Sequence, residues 1–195
     1  MRHNFLTTVR RVAVLAGLAF TAACGTDATA PVLAPDEAHA VLGTLTATTR
    51  AATEATVRTA GHLRPLRQAV TVKATIGVNG GVIRIPETGF ELVVPAGAVD
   101  KDVNFGVTAI PGSTVAYEFA PHGITFKAPL KFRQSVLTTS IGWGQTVRGG
   151  YFTDASKIDA KGRKAAVAEQ MPARIDGTWV VFDIWHFSGY LVSCA

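Results

Sequence analysis

Cysteine is nearly missing from this chain. The 195 residues hold two, Cys24 and Cys194, with no CxxC and no HxxxH pattern, so no zinc site can be assembled from them. Charge is scarce as well, at 17% of residues. The formal +5 shrinks when Arg2, Arg10 and Arg11 are set apart, since the first 23 residues hold no acid; 16 basic and 14 acidic side chains then remain, a net +2. With no run of Lys and Arg, this excludes a backbone-tracking nucleic-acid protein. Aromatic residues are absent from Gly25 to Val70. The apolar stretch Val12 to Ala23, about 12 residues, falls short of the roughly 20 needed to cross a bilayer.

What is there begins with a delivery signal. Arg2, Arg10 and Arg11 make a positive start, Val12 to Ala23 an apolar core, and Thr21, Ala22 and Ala23 run as small residues into Cys24 and Gly25. This resembles the lipobox of bacterial lipoproteins, with Thr21 where that motif usually has Leu. The resemblance implies a signal peptide over 1–23, cleavage before Cys24, lipidation of Cys24, and a membrane-anchored protein of the bacterial cell envelope. Ordinary signal cleavage is the alternative; it gives a secreted or periplasmic protein and leaves Cys24 as a free thiol or a partner for Cys194. Residues 24–70, rich in Ala and Thr with Pro31, Pro35 and Pro65, read as a surface tether in which His39 and His62 are solvent-exposed.

From Thr71 the apolar positions adopt a period of two. Val72, Ala74 and Ile76 alternate, and Asn79, Gly80 and Gly81 predict a hairpin turn into Val82, Ile83 and Ile85. Phe90, Leu92 and Val94 form the next set, then Phe105, Val107 and Ala109, with Pro86, Pro95 and Pro111 at the strand ends. Phe119, Ile124, Phe126, Leu130 and Phe132 continue through a kinked region, Gly142 to Gly150 reads as a loop, and Asp154 to Lys164 as a polar hairpin tip. Many short strands without a helix predict an all-β body over 71–195, an antiparallel β-sandwich or partly open barrel.

The stretch from Gly80 and Gly81 through Pro86 to Pro95, Ala96, Gly97 and Ala98 is similar to the opening block of the ZU-five domain, found in zonula occludens proteins, ankyrins and netrin receptors. Pro121 to Phe126 with Pro129 and Leu130 resembles its second block, and His186, Phe187, Ser188 its closing block in some members. The resemblance implies a β-sandwich with a protein-interaction or scaffolding role. In some members the His, Phe, Ser tripeptide is a self-cleavage site; carried over, the cut would fall between Phe187 and Ser188.

The chemistry of such a cut is an N-to-O acyl shift. Ser188 attacks the carbonyl of Phe187, His186 removes its proton, and water hydrolyses the ester. In an extended strand, residues i and i+2 lie about 6.5 to 7 Å apart, too far for direct proton transfer. The reaction therefore needs a bend at Phe187 or Ser188, which Gly189 would permit. Against it stands an ordinary final hairpin, with Val180, Phe182, Ile184 and His186 facing the core and Ser188 in the turn.

No cofactor is expected. Asp154 and Asp159 lack the alternating spacing of a calcium loop, and Gly142, Gly144, Gly149 and Gly150 precede neither helix nor Lys, as a phosphate cradle would require. Trp143 is either an exposed binding residue or folded back into the core, and His122 stabilises a turn. The sequence thus predicts an envelope lipoprotein presenting a binding or structural module to an envelope protein, with self-processing as the alternative; a multi-turnover hydrolase is the least favoured reading, since no second His with a carboxylate partner stands at an interpretable position.

Overall fold

The computed structural model describes residues 53–194, and the signal segment, Cys24 and the tether through residue 52 lie outside the described residues. Sixteen strands, numbered in chain order, two single-turn 3-10 helices and no α-helix are found among the described residues. Every strand pair is antiparallel. The all-β sandwich is therefore observed.

One sheet has five strands, in the order β14 (Arg174–Asp176), β15 (Trp179–His186), β9 (Thr125–Ser135), β5 (Phe90–Val94) and β4 (Gly81–Ile85). The other has six: β13 (Glu169–Pro172), β10 (Val147–Phe152), β16 (Gly189–Cys194), β8 (Ala116–Ala120), β6 (Val103–Ala109) and β3 (Val70–Ile76). The alternating residues read from the sequence fill the space between them: Phe90, Leu92 and Val94 from one sheet, Phe105, Val107 and Ala109 from the other, each at most 2% exposed. Phe132 stacks on its cross-strand neighbour Phe182 at 4.2 Å, and Phe90 stacks on Tyr117 of the facing sheet at 4.2 Å. Such pairs add about 0.5–1.5 kcal/mol each beyond their buried area.

A polar bridge crosses this apolar layer. The Tyr117 hydroxyl donates to Gln134 Oε1 at 2.7 Å, and Gln134 Nε2 donates to the Thr88 carbonyl at 2.7 Å. Both side chains are wholly buried, and burial pushes the Tyr117 phenol far above its ordinary pKa, so it remains a donor.

A third layer covers the outer face of the six-stranded sheet. β1 (Ala55–Arg58), β12 (Lys164–Val167) and β11 (Ile158–Asp159) form a small sheet, whose Val57, Ala165 and Val167 pack on Ala116, Phe152 and Leu191. Strand β16 is therefore buried on both faces, Tyr190 and Val192 inward and Leu191 outward. That accounts for the three consecutive apolar residues Tyr190, Leu191 and Val192. The last pair is β2 (Gly61–Leu66) with β7 (Gly112–Thr114).

Five expectations change. The tether does not extend to residue 70, because β1 and β2 belong to the folded body. Their attachment is made largely by backbone: Thr59 N–H donates to Arg163 O (2.9 Å), Ala60 N–H to Val192 O (2.8 Å) and Val115 N–H to Ala60 O (2.9 Å). Segments docked this way need few large apolar residues, so composition alone misreads them. The turn at Asn79 to Gly81 is not a hairpin: β3 pairs with β6 and β4 with β5, so the chain changes sheets there. Gly80 makes the corner, at φ 70°, with no room for a side chain beside Val94 O. Likewise β15 and β16 lie in opposite sheets and are not a final hairpin. Gly149 and Gly150 are not loop residues but interior to β10, where a side chain would collide with Phe182 and Met171 or with Leu191 and Val167. Pro129 lies inside β9, at the stretch where the β15 register skips between Ile184 and His186.

His62, expected in solvent, is 7% exposed; its Nε2 has no hydrogen-bond partner among the described residues, and burial holds its pKa down at about 4. The unfolded chain, with an ordinary His near 6.5, takes up the proton first, so this contribution is complete above about pH 6.5. It is lost as pH falls toward 4, by about 3 kcal/mol in all. Thermal unfolding between pH 7 and 4 should show a falling Tm whose slope is reduced in His62→Leu, and an unaltered slope in that variant would count against this assignment.

Candidate functional site

The tripeptide is where the chain leaves the five-stranded sheet, at the end of β15, and enters the six-stranded sheet at β16. Its three carbonyls and the Phe187 N–H are held. Phe187 N–H donates to Ile124 O (2.9 Å), Gly123 N–H donates to Phe187 O (3.3 Å), and Phe119 N–H donates to Ser188 O (2.9 Å). The Phe187 ring is 1% exposed and meets Phe105 and Phe126 edge-on, each at 4.8 Å. Apolar burial thus pulls the middle residue inward and sends its neighbours to different surroundings.

Ser188 is buried, and its hydroxyl donates to Phe152 O at 3.3 Å. His186 is half-buried and belongs to another group. The Tyr190 hydroxyl donates to His186 O at 2.9 Å, which leaves the ring Nδ1, 3.2 Å from the phenol oxygen, as the donor to it. Tyr151 meets the His186 ring edge-on at 5.0 Å. Among the described residues no hydrogen bond joins Ser188 to His186: the structure brings the two into neighbouring positions but directs their polar atoms elsewhere. Nor is the backbone strained there. Among the described residues Arg163 alone has a positive φ outside glycine, and Gly189 is not left-handed. Gly189 serves close packing instead of a bend, since any Cβ would collide with the Phe152 ring.

His186 and Tyr190 open onto a groove of about 600 Å³ that sequence reasoning missed. One wall is the crossing from β13 to β14, with Glu169, Met171 and Arg174; the other is the face of β15, with Asp183 and Trp185. Trp185 is 54% exposed, and Asp183 is paired with Lys131 at 2.6 Å. Burial raises the Tyr190 phenol above its usual range, so it stays protonated and fixed on His186. The groove therefore has an aromatic floor with hydrogen-bonding tips and a rim of mixed charge. That arrangement suits binding an extended partner. The alternation of Trp185 with its neighbours marks it as outward-facing, but no pattern connects it to Glu169 or Arg174.

The other candidates have local duties. Asp154 Oδ1 accepts from Ser156 N–H (2.8 Å), and Asp159 Oδ1 accepts from Lys161 and Gly162 N–H (3.1 and 2.8 Å), so both carboxylates cap their own turns. Trp143 is 96% exposed, which decides between its two readings. His122 is exposed in the turn after β8, and Cys194 is half-buried with its thiol pushed up by desolvation. No protein-family model matches this chain, and no curated protein matches it.

Because Gly189 is needed for packing, Gly189→Ala should destabilise the fold by about 1–3 kcal/mol or more in chemical denaturation, and Phe152→Leu in the same chain should restore part of the loss. Ser188→Ala removes one neutral hydrogen bond and should cost only about 1 kcal/mol. A Gly189→Ala chain as stable as the native one would refute the packing role.

Proposed function

We propose that this chain is a cell-envelope lipoprotein, exported and held to a membrane through Cys24, whose β-sandwich is a non-catalytic binding module. The observation that carries the binding role is the aromatic groove between the β13 to β14 crossing and β15. Its occupant is a segment of another envelope protein, for which exposed strand β14 offers backbone groups at the sheet edge and Trp185 and Arg174 offer side-chain contacts. The anchor rests on the positive start, the apolar core and the small residues before Cys24. The similarity of residues 80–98 to the ZU-five opening block agrees with an interaction role, and the protein is proposed as a distant ZU-five-like module on that basis.

Self-processing between Phe187 and Ser188 is the competing mechanism. The hydrogen bonds of Ser188 to Phe152 O and of His186 to Tyr190 hold both groups away from it. Intact mass of the purified protein after prolonged incubation is expected to show one uncut species at this bond. A fragment ending at Phe187 that disappears in Ser188→Ala would establish self-cleavage instead.

In cells, Cys24→Ala should move the protein from the membrane to the soluble fraction, and unchanged partitioning would remove the anchor. A photocrosslinking side chain placed at Trp185 should yield a discrete adduct in the envelope, while one at Val82, on the opposite edge of the same sheet, should yield none. Equal labelling from both positions would dismiss the groove.

A further inference from the structure

Away from the groove, loop 136–145 carries an apolar surface with no cover among the described residues. Trp143 is 96% exposed, Leu137 70% and Leu63, on β2, 61%. Single exposed apolar residues are ordinary, but these are contiguous. Leu137 and Trp143 border one hollow of about 110 Å³, and Leu137 and Leu63 share a second of about 460 Å³, together with Arg64 and Glu87.

Beside this surface the fold gathers cations that the sequence keeps apart. Arg58 of β1, Lys161 and Arg163 of the β11 to β12 turn, and Lys164 at the start of β12 line a concavity of about 450 Å³. Among the described residues none of the four is ion-paired; the neighbouring carboxylate, Asp159 of β11, stands opposite Lys164 in the strand pair and accepts the N–H groups of Lys161 and Gly162. Arg163 has φ 50°, a conformation that side chains other than glycine rarely adopt. Strain retained at one such residue points toward function.

Two contacts join the halves among the described residues: the Thr59 N–H to Arg163 O bond already described, and a cluster at Ser140. Arg163 Nη1 donates to Ser140 Oγ at 3.1 Å, Gly61 N–H donates to the same oxygen at 3.1 Å, and Ser140 N–H donates to Gly61 O at 2.8 Å. Ser140 lies between Leu137 and Trp143 in the loop, and Gly61 lies two residues before Leu63. Gly61 also leaves room for the arginine, since a Cβ there would stand 3.1 Å from Nη1.

We propose that this end of the sandwich docks on an anionic lipid surface, with Trp143, Leu137 and Leu63 entering the headgroup layer and the four cations meeting lipid phosphates. The combination selects this occupant. A soluble polyanion or free phosphate would use the cations and leave the apolar tip in water, whereas a bilayer interface takes an indole, aliphatic side chains and basic groups together. The contact goes beyond the lipid anchor, because it is made by the folded body and sets the orientation of that body on the membrane.

The chain has three tryptophans, so Trp179→Phe with Trp185→Phe leaves Trp143 as the sole emitter. On phosphatidylglycerol-containing vesicles its emission should shift to the blue and lose acrylamide quenching. Lys161→Gln and Lys164→Gln should each weaken the phosphatidylglycerol-dependent binding about fivefold. Cys24→Ala should leave the shift intact, since Trp143 reports the docking end and not the anchor. Unchanged emission from protein that sediments with these vesicles would overturn the proposal, as would an equal shift on pure phosphatidylcholine. If the Trp143-only chain fails to fold, Leu137→Glu with Trp143→Glu in a Cys24→Ala chain supplies the second arm: retained phosphatidylglycerol-dependent binding there would also overturn it.

Discussion

The hydrogen bond from Tyr117 to Gln134 runs through the middle of an otherwise apolar layer and ties one sheet to the other. Apolar packing is non-directional; two sheets lined with Phe, Val and Ile would tolerate sliding by a residue pair with little change in buried area. A buried donor and acceptor do not tolerate it, because either one left alone in the core costs about 1–3 kcal/mol. With Gln134 also held by Thr88, the turn between β4 and β5 is fixed as well.

Much of the fold was legible. The alternation in β5 and β6 named inward residues correctly, because a strand with one buried face must alternate. What alternation does not report is which strand lies alongside. The turn at Gly80 and the segment Phe187 to Gly189 carry ordinary hairpin chemistry, yet both are crossings, since their flanking strands satisfy their backbone groups with strands remote in sequence. Gly149 and Gly150 looked like a loop because glycine is used there for close approach and not for a turn. The first two strands were hidden for the opposite reason: they dock by main-chain hydrogen bonds, which leave little trace in composition.

The site follows the same division. His186 and Ser188 stood out because reactive residue types stood close in sequence, and their closeness said nothing about where their polar atoms would point. Each found a partner elsewhere, Tyr190 and Phe152 O, as buried polar groups must. The groove and the cationic concavity are products of tertiary structure alone. One brings Glu169 and Arg174 to Trp185, and the other brings Arg58 to Lys161 across about a hundred residues of sequence.

Strand β16 joins β10 to β8, and without it the six-stranded sheet separates into a two-stranded and a three-stranded piece. It also follows both neighbours in chain order. A growing or threading polypeptide therefore has nearly all of its strands available before it can close this sheet, and its decisive contacts are distant in sequence, a topology that folds slowly.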